Sequence, residues 1–264
     1  MICSDGFHRR AAKQSGIDHV LMLPADSSQQ LIASQSEQDS ASRGRSRTLH
    51  LRFVGVYGIE DDSKCTGEIT NMSRIPLWLQ NAHTASLTIK DGQDIFGVFD
   101  VLLNMLWLNN WRGACHDTSA SLYMILSEKG LKPKLIIGEV MSTTVTFDHS
   151  WVEVDGNIFD IAVSLPDKGG ADVGPPIFST LDLDSTRPTQ LEYGVRTSIG
   201  LHNHRLEVAD KTLDEYSKAQ NPNDDLWSLT SLIADQCELS LNANYLKRKY
   251  GHVRRVIRGQ ELRL

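Results

Sequence analysis

The stretch Phe147-Asp-His-Ser-Trp-Val-Glu-Val-Asp-Gly-Asn-Ile-Phe-Asp160 carries the clearest structural signal in this sequence. Two β-rich runs, over 147–154 and 157–163, lie on either side of Asp155-Gly156, and an Asp-Gly pair between alternating runs is a strong hairpin signal. If the pair forms a two-residue turn, Val154 pairs with Asn157. The stretch therefore predicts an antiparallel hairpin whose register follows from the turn.

This register places three polar or aromatic side chains on one face of the hairpin. Trp151 would pair with Asp160, and paired residues point to the same side of a sheet. His149 would then be the diagonal neighbour of Asp160, with Cα atoms roughly 7–8 Å apart and side chains within reach. The opposite face carries apolar residues suited to a buried layer, namely Val152, Val154, Phe159 and Ile161. The sequence therefore predicts a contact between His149 and Asp160.

Upstream of the hairpin, Cys115 begins an amphipathic stretch that runs to Lys129 and is followed by Gly130, a common residue after a helix end. A helix N-terminus carries unpaired N–H groups and partial positive charge, which favour a thiolate and can bind an oxyanion. Cysteine, histidine and aspartate supply a nucleophile, its base and an orienting carboxylate. We therefore expect Cys115 to attack, His149 to transfer the proton and Asp160 to orient the imidazole.

The same residues resemble the motif of the transglutaminase-like superfamily of papain-like cysteine enzymes. Members show Cys at a helix start, then His-(Ala/Ser)-Trp-Val-Glu on a strand, then Asp after a Gly-containing turn. Here Cys115 is followed by His149-Ser-Trp-Val-Glu and by Asp160, and the resemblance covers roughly residues 95–165. It implies an α+β, papain-like core in which a Cys-bearing helix packs on an antiparallel sheet that bears His and Asp.

Relatives in this superfamily include protein-crosslinking transferases, peptidases, amide hydrolases and inactive binding members. The resemblance therefore implies acyl transfer through a thioester at Cys115, with peptide or amide hydrolysis as the expected reaction. A protein-crosslinking or amine acyltransferase and a non-catalytic binding module that keeps the fold are the alternatives. The expected partner is a peptide, protein or amide substrate, and this chemistry needs neither a metal nor an organic cofactor.

Two narrower resemblances differ from this chain at identifiable points. Peptidases that mature lasso-type peptides share the His-Ala-Trp-Val-Glu strand, but their catalytic part usually ends the chain, whereas a long segment follows Asp160 here. Arylamine N-acetyltransferases use the same three residue types in the same order, with Asp-Val-Gly-Phe-Gly at the aspartate. This chain has Asp160-Ile-Ala-Val instead, so use of acetyl-CoA is not expected.

Several residues near these motifs have competing interpretations. Trp151 and Trp111 are candidate substrate-binding residues, with packing as the alternative. His116 and Asp117 follow the cysteine directly, but adjacent residues of a helix do not face each other, so we expect Asp117 to complement the helix N-terminus. Asp148 lies on the opposite strand face and is expected at the surface or in a loop.

Composition divides the chain into three parts. Residues 1–48 are predicted to be a flexible N-terminal extension, because 27–46 is rich in Ser, Gln and Ala and buries too little to offset its ordering entropy. Residues 49–210 are predicted to form the catalytic domain, with a core helix over 94–109. Residues 211–264 are predicted to be a helical C-terminal extension with a basic tail.

Charge and composition limit the function classes. The 264-residue chain has a formal net charge of −6 and a pI near 5.8, which argues against a nucleic-acid protein. The basic end has few interleaved aromatic residues and is expected to be a solvated face, with contact to nucleic acid or an anionic surface as the alternative. Its basic residues are Lys247, Arg248, Lys249, Arg254, Arg255, Arg258 and Arg263.

Without a secretory signal, a membrane-spanning run or closely spaced cysteines, we expect reduced thiols and a cytoplasmic location.

The segment from Tyr193 to Val208 is expected to hold further strands. On such a strand, His202-Asn-His204 would place two histidines on one face. A zinc site needs at least three protein ligands, and no further ligand is evident in the sequence. No metal site is therefore expected.

Overall fold

Seven α-helices and seven β-strands make up the part of the chain that this computed structural model describes, residues 73–220 and 225–259. The extension predicted over 1–48 and residues 49–72 of the predicted catalytic domain lie outside these residues. The helices are α1 (Ile75–Ser86), α2 (Gly92–Leu108), α3 (Cys115–Glu128), α4 (Asn203–Asp210), α5 (Leu213–Ala219), α6 (Leu226–Gln236) and α7 (Ala243–Tyr250). The strands are β1 (Lys134–Met141), β2 (Thr146–Val154), β3 (Asn157–Phe159), β4 (Ile177–Phe178), β5 (Leu181–Asp182), β6 (Glu192–Val195) and β7 (Val256–Arg258).

Five of the strands form one sheet, in which β2 lies between β3 and β1. β1 pairs antiparallel with β2 along its whole length, from Lys134 opposite Glu153 to Met141 opposite Thr146. On its other side β1 pairs antiparallel with β6 and parallel with β7. The helices and this mainly antiparallel sheet give the α+β architecture that the sequence predicts.

The β2–β3 hairpin has the register that its Asp-Gly turn predicts. Val154 pairs with Asn157, and the pairing continues for two more positions along each strand. Asp155 and Gly156 both have positive φ, at 48° and 84°, as a type I′ hairpin turn requires. The turn chemistry of two residues therefore determines which side chains share a face of the sheet.

β3 is shorter than the sequence indicates. The predicted run over 157–163 ends as a strand at Phe159, and a 3₁₀ turn follows at Ala162–Ser164. The Asp160 carboxylate explains the change, because its Oδ1 accepts a hydrogen bond from the Val163 amide at 3.2 Å and closes this turn. The backbone of Asp160 bridges to β4 instead.

The main hydrophobic core lies between the helices and one face of the sheet. α2 coincides with the core helix predicted over 94–109, although it begins at Gly92, and it buries Phe99 and Leu102 completely. The sheet contributes the apolar layer that the hairpin register predicts, namely Val152, Val154, Phe159 and Ile161. Burying a side chain of this kind contributes about 1.5–3 kcal/mol, so the layer holds the register against a one-residue slip.

A second apolar cluster covers the opposite face of the sheet, the face that carries His149. Its buried members are Ile136, Val140, Phe147, Trp151, Val163 and Ile177. The ring of Phe147 packs edge-on against the imidazole of His149, with centroids 5.6 Å apart. His149 is therefore held on a regular strand between apolar neighbours.

The C-terminal part of the chain packs into the main core. α6 and α7 contribute buried residues such as Trp227 and Leu246 to the cluster that also contains α2 and α3. The predicted extension contains helices, and its last described element is β7, a strand within the main sheet. Arg255 is only 4% exposed and so does not belong to the solvated face predicted for the basic end, whereas Arg258 pairs with Glu153 and keeps a side chain that is 49% exposed. The domain division at residue 210 stays a prediction.

The segment around His202 and His204 is helical where the sequence predicted a strand. β6 ends at Val195, and α4 begins at Asn203 with His202 at its N-cap. The two histidines therefore do not share a strand face. Among the described residues there is no group of three or more His, Cys, Asp or Glu able to hold a metal ion.

Within the same residues, no helix has both the length and the apolar character needed to cross a membrane.

Candidate active site

Cys115 is the first residue of α3. Gly113 leads the chain into the helix with a φ of 67°, and a Cβ atom there would approach the Asp167 side chain to 3.3 Å. The first intrahelical hydrogen bond runs from the Thr118 amide to the Ala114 carbonyl. The backbone N–H groups of the first turn, which come before Thr118, therefore have no acceptor within the helix. Cys115 therefore lies where backbone N–H groups and the helix dipole stabilise an anion.

The imidazole of His149 contacts the carboxylate of Asp160, as the hairpin register predicts. Nε2 lies 3.0 Å from Oδ1 and 2.9 Å from Oδ2. An ionised carboxylate only accepts hydrogen bonds, so Nε2 carries a proton and donates it to this contact. Nδ1 is buried and has no hydrogen-bond partner within the described residues. His149 thus keeps Nδ1 as the nitrogen that can exchange a proton with another group.

Cys115 and His149 line the same small pocket. The rest of its lining consists of Gly113, Phe147, Ala162, Val163, Pro166 and Val173. The pocket holds about 10 Å³, which is the lower limit for a single water molecule. Cys115 is 1% exposed and His149 is 2% exposed. The structure therefore brings the two residues to one pocket and closes that pocket to anything larger than water.

The pKa of His149 is raised from 6.5 to about 10. Burial acts to lower the pKa, but the negative charges of Asp160 and of an ionised Cys115, together with the hydrogen bond to Asp160, outweigh burial. The imidazole is therefore protonated at neutral pH. An imidazolium beside the sulfur stabilises a thiolate, so the charges of this site favour a thiolate–imidazolium pair.

Tyr193 is a site residue that sequence reasoning missed. Its hydroxyl donates to Oδ2 of Asp160 at 2.8 Å, and its ring packs edge-on against Trp151 with centroids 5.0 Å apart. Burial and the neighbouring Asp160 raise the pKa of Tyr193 well above its usual value, so the hydroxyl stays a donor. Tyr193 reaches the site because β6 pairs with β1 at Val140, a long-range pairing with no local sequence signal.

The two tryptophans proposed to bind substrate make packing contacts. Trp151 is fully buried, and its Nε1 donates to Oε1 of Glu153 at 3.1 Å. Trp111 is partly buried and packs against the main core. Neither lines the pocket that Cys115 and His149 share. Their roles in substrate binding therefore stay predictions.

His116 and Asp148 are both buried, although the sequence placed Asp148 at the surface. Asp148 is 5% exposed, and its Oδ2 accepts a hydrogen bond from the His202 amide at 3.1 Å. The Nε2 atom of His116 accepts from Arg205 at 2.7 Å, which leaves Nδ1 to donate to the Ser150 hydroxyl at 2.7 Å. Burial lowers the pKa of His116 although Cys115 acts to raise it. His116 is therefore a neutral residue with both ring nitrogens in use.

A larger pocket of about 330 Å³ adjoins the small one through Val173, which lines both. Uncharged polar residues line part of it, namely Ser142, Thr143, Ser185, Thr189 and Gln190. Apolar residues line another part, including Pro175, Ile177, Pro188 and Leu191. Its volume lies at the lower end of the range for ligand sites.

No family model matches this chain, and no curated protein or solved structure matches it. The transglutaminase-like resemblance and a papain-like core therefore stay predictions.

Proposed function

We propose that this chain is a cysteine-dependent acyl-transfer enzyme that hydrolyses a peptide or amide bond through a thioester at Cys115. The position of His149 carries the proposal, since its Nε2 is held by Asp160 while its Nδ1 is unpartnered in a pocket that Cys115 also lines. Burying an imidazole and a carboxylate carries a large desolvation cost. Packing alone does not explain why a thiol at a helix start shares a pocket with this imidazole.

In the first half-reaction, the Cys115 thiolate attacks the substrate carbonyl carbon and the π electron pair moves onto the oxygen. Amides of the first turn of α3 donate hydrogen bonds to this oxyanion. When the tetrahedral intermediate collapses, the C–N bond breaks and His149 passes the Nδ1 proton to the departing amine. The products are an acyl-thioester on Cys115, a free amine and a neutral His149.

In the second half-reaction, a water molecule attacks the thioester carbon and His149 Nδ1 takes its proton. The second tetrahedral intermediate collapses with cleavage of the C–S bond, which releases a carboxylic acid product and regenerates the Cys115 thiolate. Asp160 keeps its hydrogen bond to Nε2 in both steps and so stabilises the imidazolium each time it forms. An amine in place of water would make the same site a transferase.

Substrate access requires a movement of the segment over 166–175, which covers the small pocket with Pro166 and Val173. This segment contains neither helix nor strand. Several of its hydrogen bonds are internal, such as that from the Gly170 amide to the Asp167 carbonyl at 2.8 Å. Displacement of Val173 would join the larger pocket to the thiol. We place the acyl side of an extended peptide substrate in that larger pocket, because it adjoins the small pocket at Val173 and its lining offers hydrogen-bonding side chains.

The closed pocket favours one second candidate, a binding module that keeps this arrangement without catalysis. A thiol that is 1% exposed is typical of a cysteine used as a small buried hydrophobe. The two candidates differ in the chemistry of the sulfur. A catalytic Cys115 forms a covalent adduct with a substrate, whereas a packing cysteine forms none.

Intact-mass spectrometry separates these candidates. The full chain and its Cys115→Ala and Cys237→Ala variants are incubated with pools of peptides, with and without added amines. The proposal predicts a transient acyl adduct on the wild type and on Cys237→Ala, and none on Cys115→Ala. The mass of the adduct identifies the acyl group, and the product identifies water or amine as the acceptor. Adducts that persist in Cys115→Ala, or no adduct and no cleavage with any pool, would contradict the proposal.

A further inference from the structure

Among the described basic residues from Lys247 onward, Arg255 is the most deeply buried. It lies directly before β7 and is 4% exposed, whereas the side chain of its neighbour Arg254 is 52% exposed and approaches Glu215. The pairing of β7 with β1 carries Arg255 into the protein. A buried charge carries a large desolvation cost unless it is compensated, so its position calls for an explanation.

The contacts of Arg255 lead to the first turn of the helix that begins with Cys115. Its Nη2 donates to the carbonyl oxygen of His116 at 3.2 Å. Its guanidinium carbon lies 4.4 Å from the centroid of the Tyr216 ring, which is cation–π geometry. Nε and Nη1 are buried and have no hydrogen-bond partner within the described residues. The guanidinium is therefore anchored at one nitrogen and unsatisfied at two.

The position of the Arg255 guanidinium is unfavourable for a positive charge unless anions lie nearby. A helix N-terminus is already partly positive, so a guanidinium beside the first turn opposes the helix dipole. Burial lowers the pKa of Arg255, while Tyr216, Asp117 and Cys115 act to raise it. Asp117 accepts hydrogen bonds from the Tyr216 hydroxyl at 2.9 Å and from Gln220 at 3.1 Å. The Cys115 thiolate is the anion of this group that the proposed reaction uses.

We propose that Arg255 is a positioning residue for the nucleophile, which fixes the first turn of α3 through the His116 carbonyl and stabilises the Cys115 thiolate by its charge. The inference depends on the proposed function, because it assigns a role in generating that thiolate. It also makes the end of the chain part of the catalytic unit. A segment distant in sequence then controls how much of Cys115 is in the reactive form.

Charged and titratable groups from several elements lie around the first turn of α3. They are His116 and Asp117 on α3, His149 on β2, Arg205 on α4, Tyr216 on α5 and Arg255 before β7. Arg205 is already engaged with His116 Nε2. Of the two arginines in this set, Arg255 is the one with buried nitrogens that have no hydrogen-bond partner in the described part of the chain.

The test is the pH profile of Cys115 alkylation by iodoacetamide in the full chain, followed by peptide-mapping mass spectrometry. Arg255→Met keeps the length of the side chain and removes its charge, Arg255→Lys keeps the charge, and Arg254→Met is the matched control. An opposite charge nearby shifts a titration by roughly one unit or more. We therefore expect Arg255→Met to move the midpoint up by about one pH unit and to slow alkylation about tenfold below it. Arg255→Lys should recover most of the rate, and Arg254→Met should match the wild type.

A purely structural role for Arg255 predicts a different result. A folded Arg255→Met variant with the wild-type pH profile would overturn the positioning role while leaving the proposed function intact. If wild-type Cys115 itself titrates like a free thiol, both proposals fail. If Arg255→Met does not fold, citrulline at position 255 removes the charge with less change in shape, and it can be introduced by joining a synthetic peptide at Cys237. An unchanged profile in that protein would also overturn the inference.

Discussion

The hydroxyl of Tyr193 donates a hydrogen bond to Oδ2 of Asp160 at 2.8 Å. The same carboxylate accepts from the Val163 amide and from Nε2 of His149. Three donors from different parts of the chain thus fix the orientation of one carboxylate, which in turn fixes the imidazole. The arrangement implies that Tyr193 acts on the reaction through Asp160 without touching the substrate.

Tyr193→Phe removes this hydrogen bond and leaves the ring against Trp151. We expect kcat to fall about tenfold with KM unchanged, because an incorrectly oriented carboxylate impairs the chemical step, and stability to fall by about 1 kcal/mol. Steady-state kinetics and urea unfolding measure the two effects. Tyr245→Phe is the matched control, because it removes a hydrogen bond of Tyr245 to Glu128 at 3.1 Å and should lower stability alone. A Tyr193→Phe enzyme with full kcat would contradict this role.

Asp160→Asn keeps the size of the side chain and removes its charge. The pKa of His149 should fall, since the Asp160 charge is the largest of the contributions that raise it, and kcat should fall by about 10⁴-fold, as for loss of the carboxylate in comparable triads. NMR titration of the imidazole and steady-state kinetics check the two results. Asp155→Asn is the control, because it makes the same substitution at the hairpin turn, away from the His149 imidazole. Equal losses in both variants would contradict the assignment.

Val173→Ala should open the pocket over the thiol more often. It removes two methyl groups, each worth at most about 0.8 kcal/mol of burial, so alkylation of Cys115 should accelerate by up to roughly tenfold. Leu87→Ala, at a residue that is exposed in α1's C-cap, is the control. Labelling of Cys115 at the wild-type rate in Val173→Ala would show that another segment controls access.

The raised pKa of His149 also predicts how stability depends on pH. A group whose pKa is higher in the folded state contributes stability that is complete below its unfolded pKa of about 6.5 and is lost as pH rises through its folded pKa of about 10. The unfolding free energy of the wild type should therefore decline relative to His149→Gln across this window, by at most about 1.4 kcal/mol per pH unit. Urea unfolding of both proteins between these pH values gives the comparison. A constant difference would mean that His149 is neutral in the folded protein.

Local sequence signals predicted the part of the site that lies within one hairpin and one helix start. The Asp155-Gly156 turn and the period of two along a strand were sufficient for the contact between His149 and Asp160. The position of Cys115 followed from the start of an amphipathic stretch. These inferences succeeded because the relevant interactions connect residues that are close in sequence or share one turn.

The remaining parts of the site depend on long-range pairing that no local pattern reveals. Tyr193 arrives through the pairing of β6 with β1, and Arg255 through that of β7. Asp148 was wrongly placed at the surface because its partner, the His202 amide, comes from a distant segment. The sequence also did not predict that Val173 closes the pocket, because Val173 lies in a segment that contains neither helix nor strand.

The reactivity of Cys115 as a function of pH tests the central claim most directly. Iodoacetamide labelling of the wild type and of His149→Gln is followed cysteine by cysteine, with Cys237 as an internal reference because burial raises its pKa to about 11. A thiolate–imidazolium pair predicts that Cys115 of the wild type reacts as fast at pH 6 as at pH 8, while Cys237 reacts at neither pH. In His149→Gln, the Cys115 rate should instead rise between pH 6 and pH 8. A Cys115 rate that rises with pH in the wild type as it does for a free thiol would contradict the account.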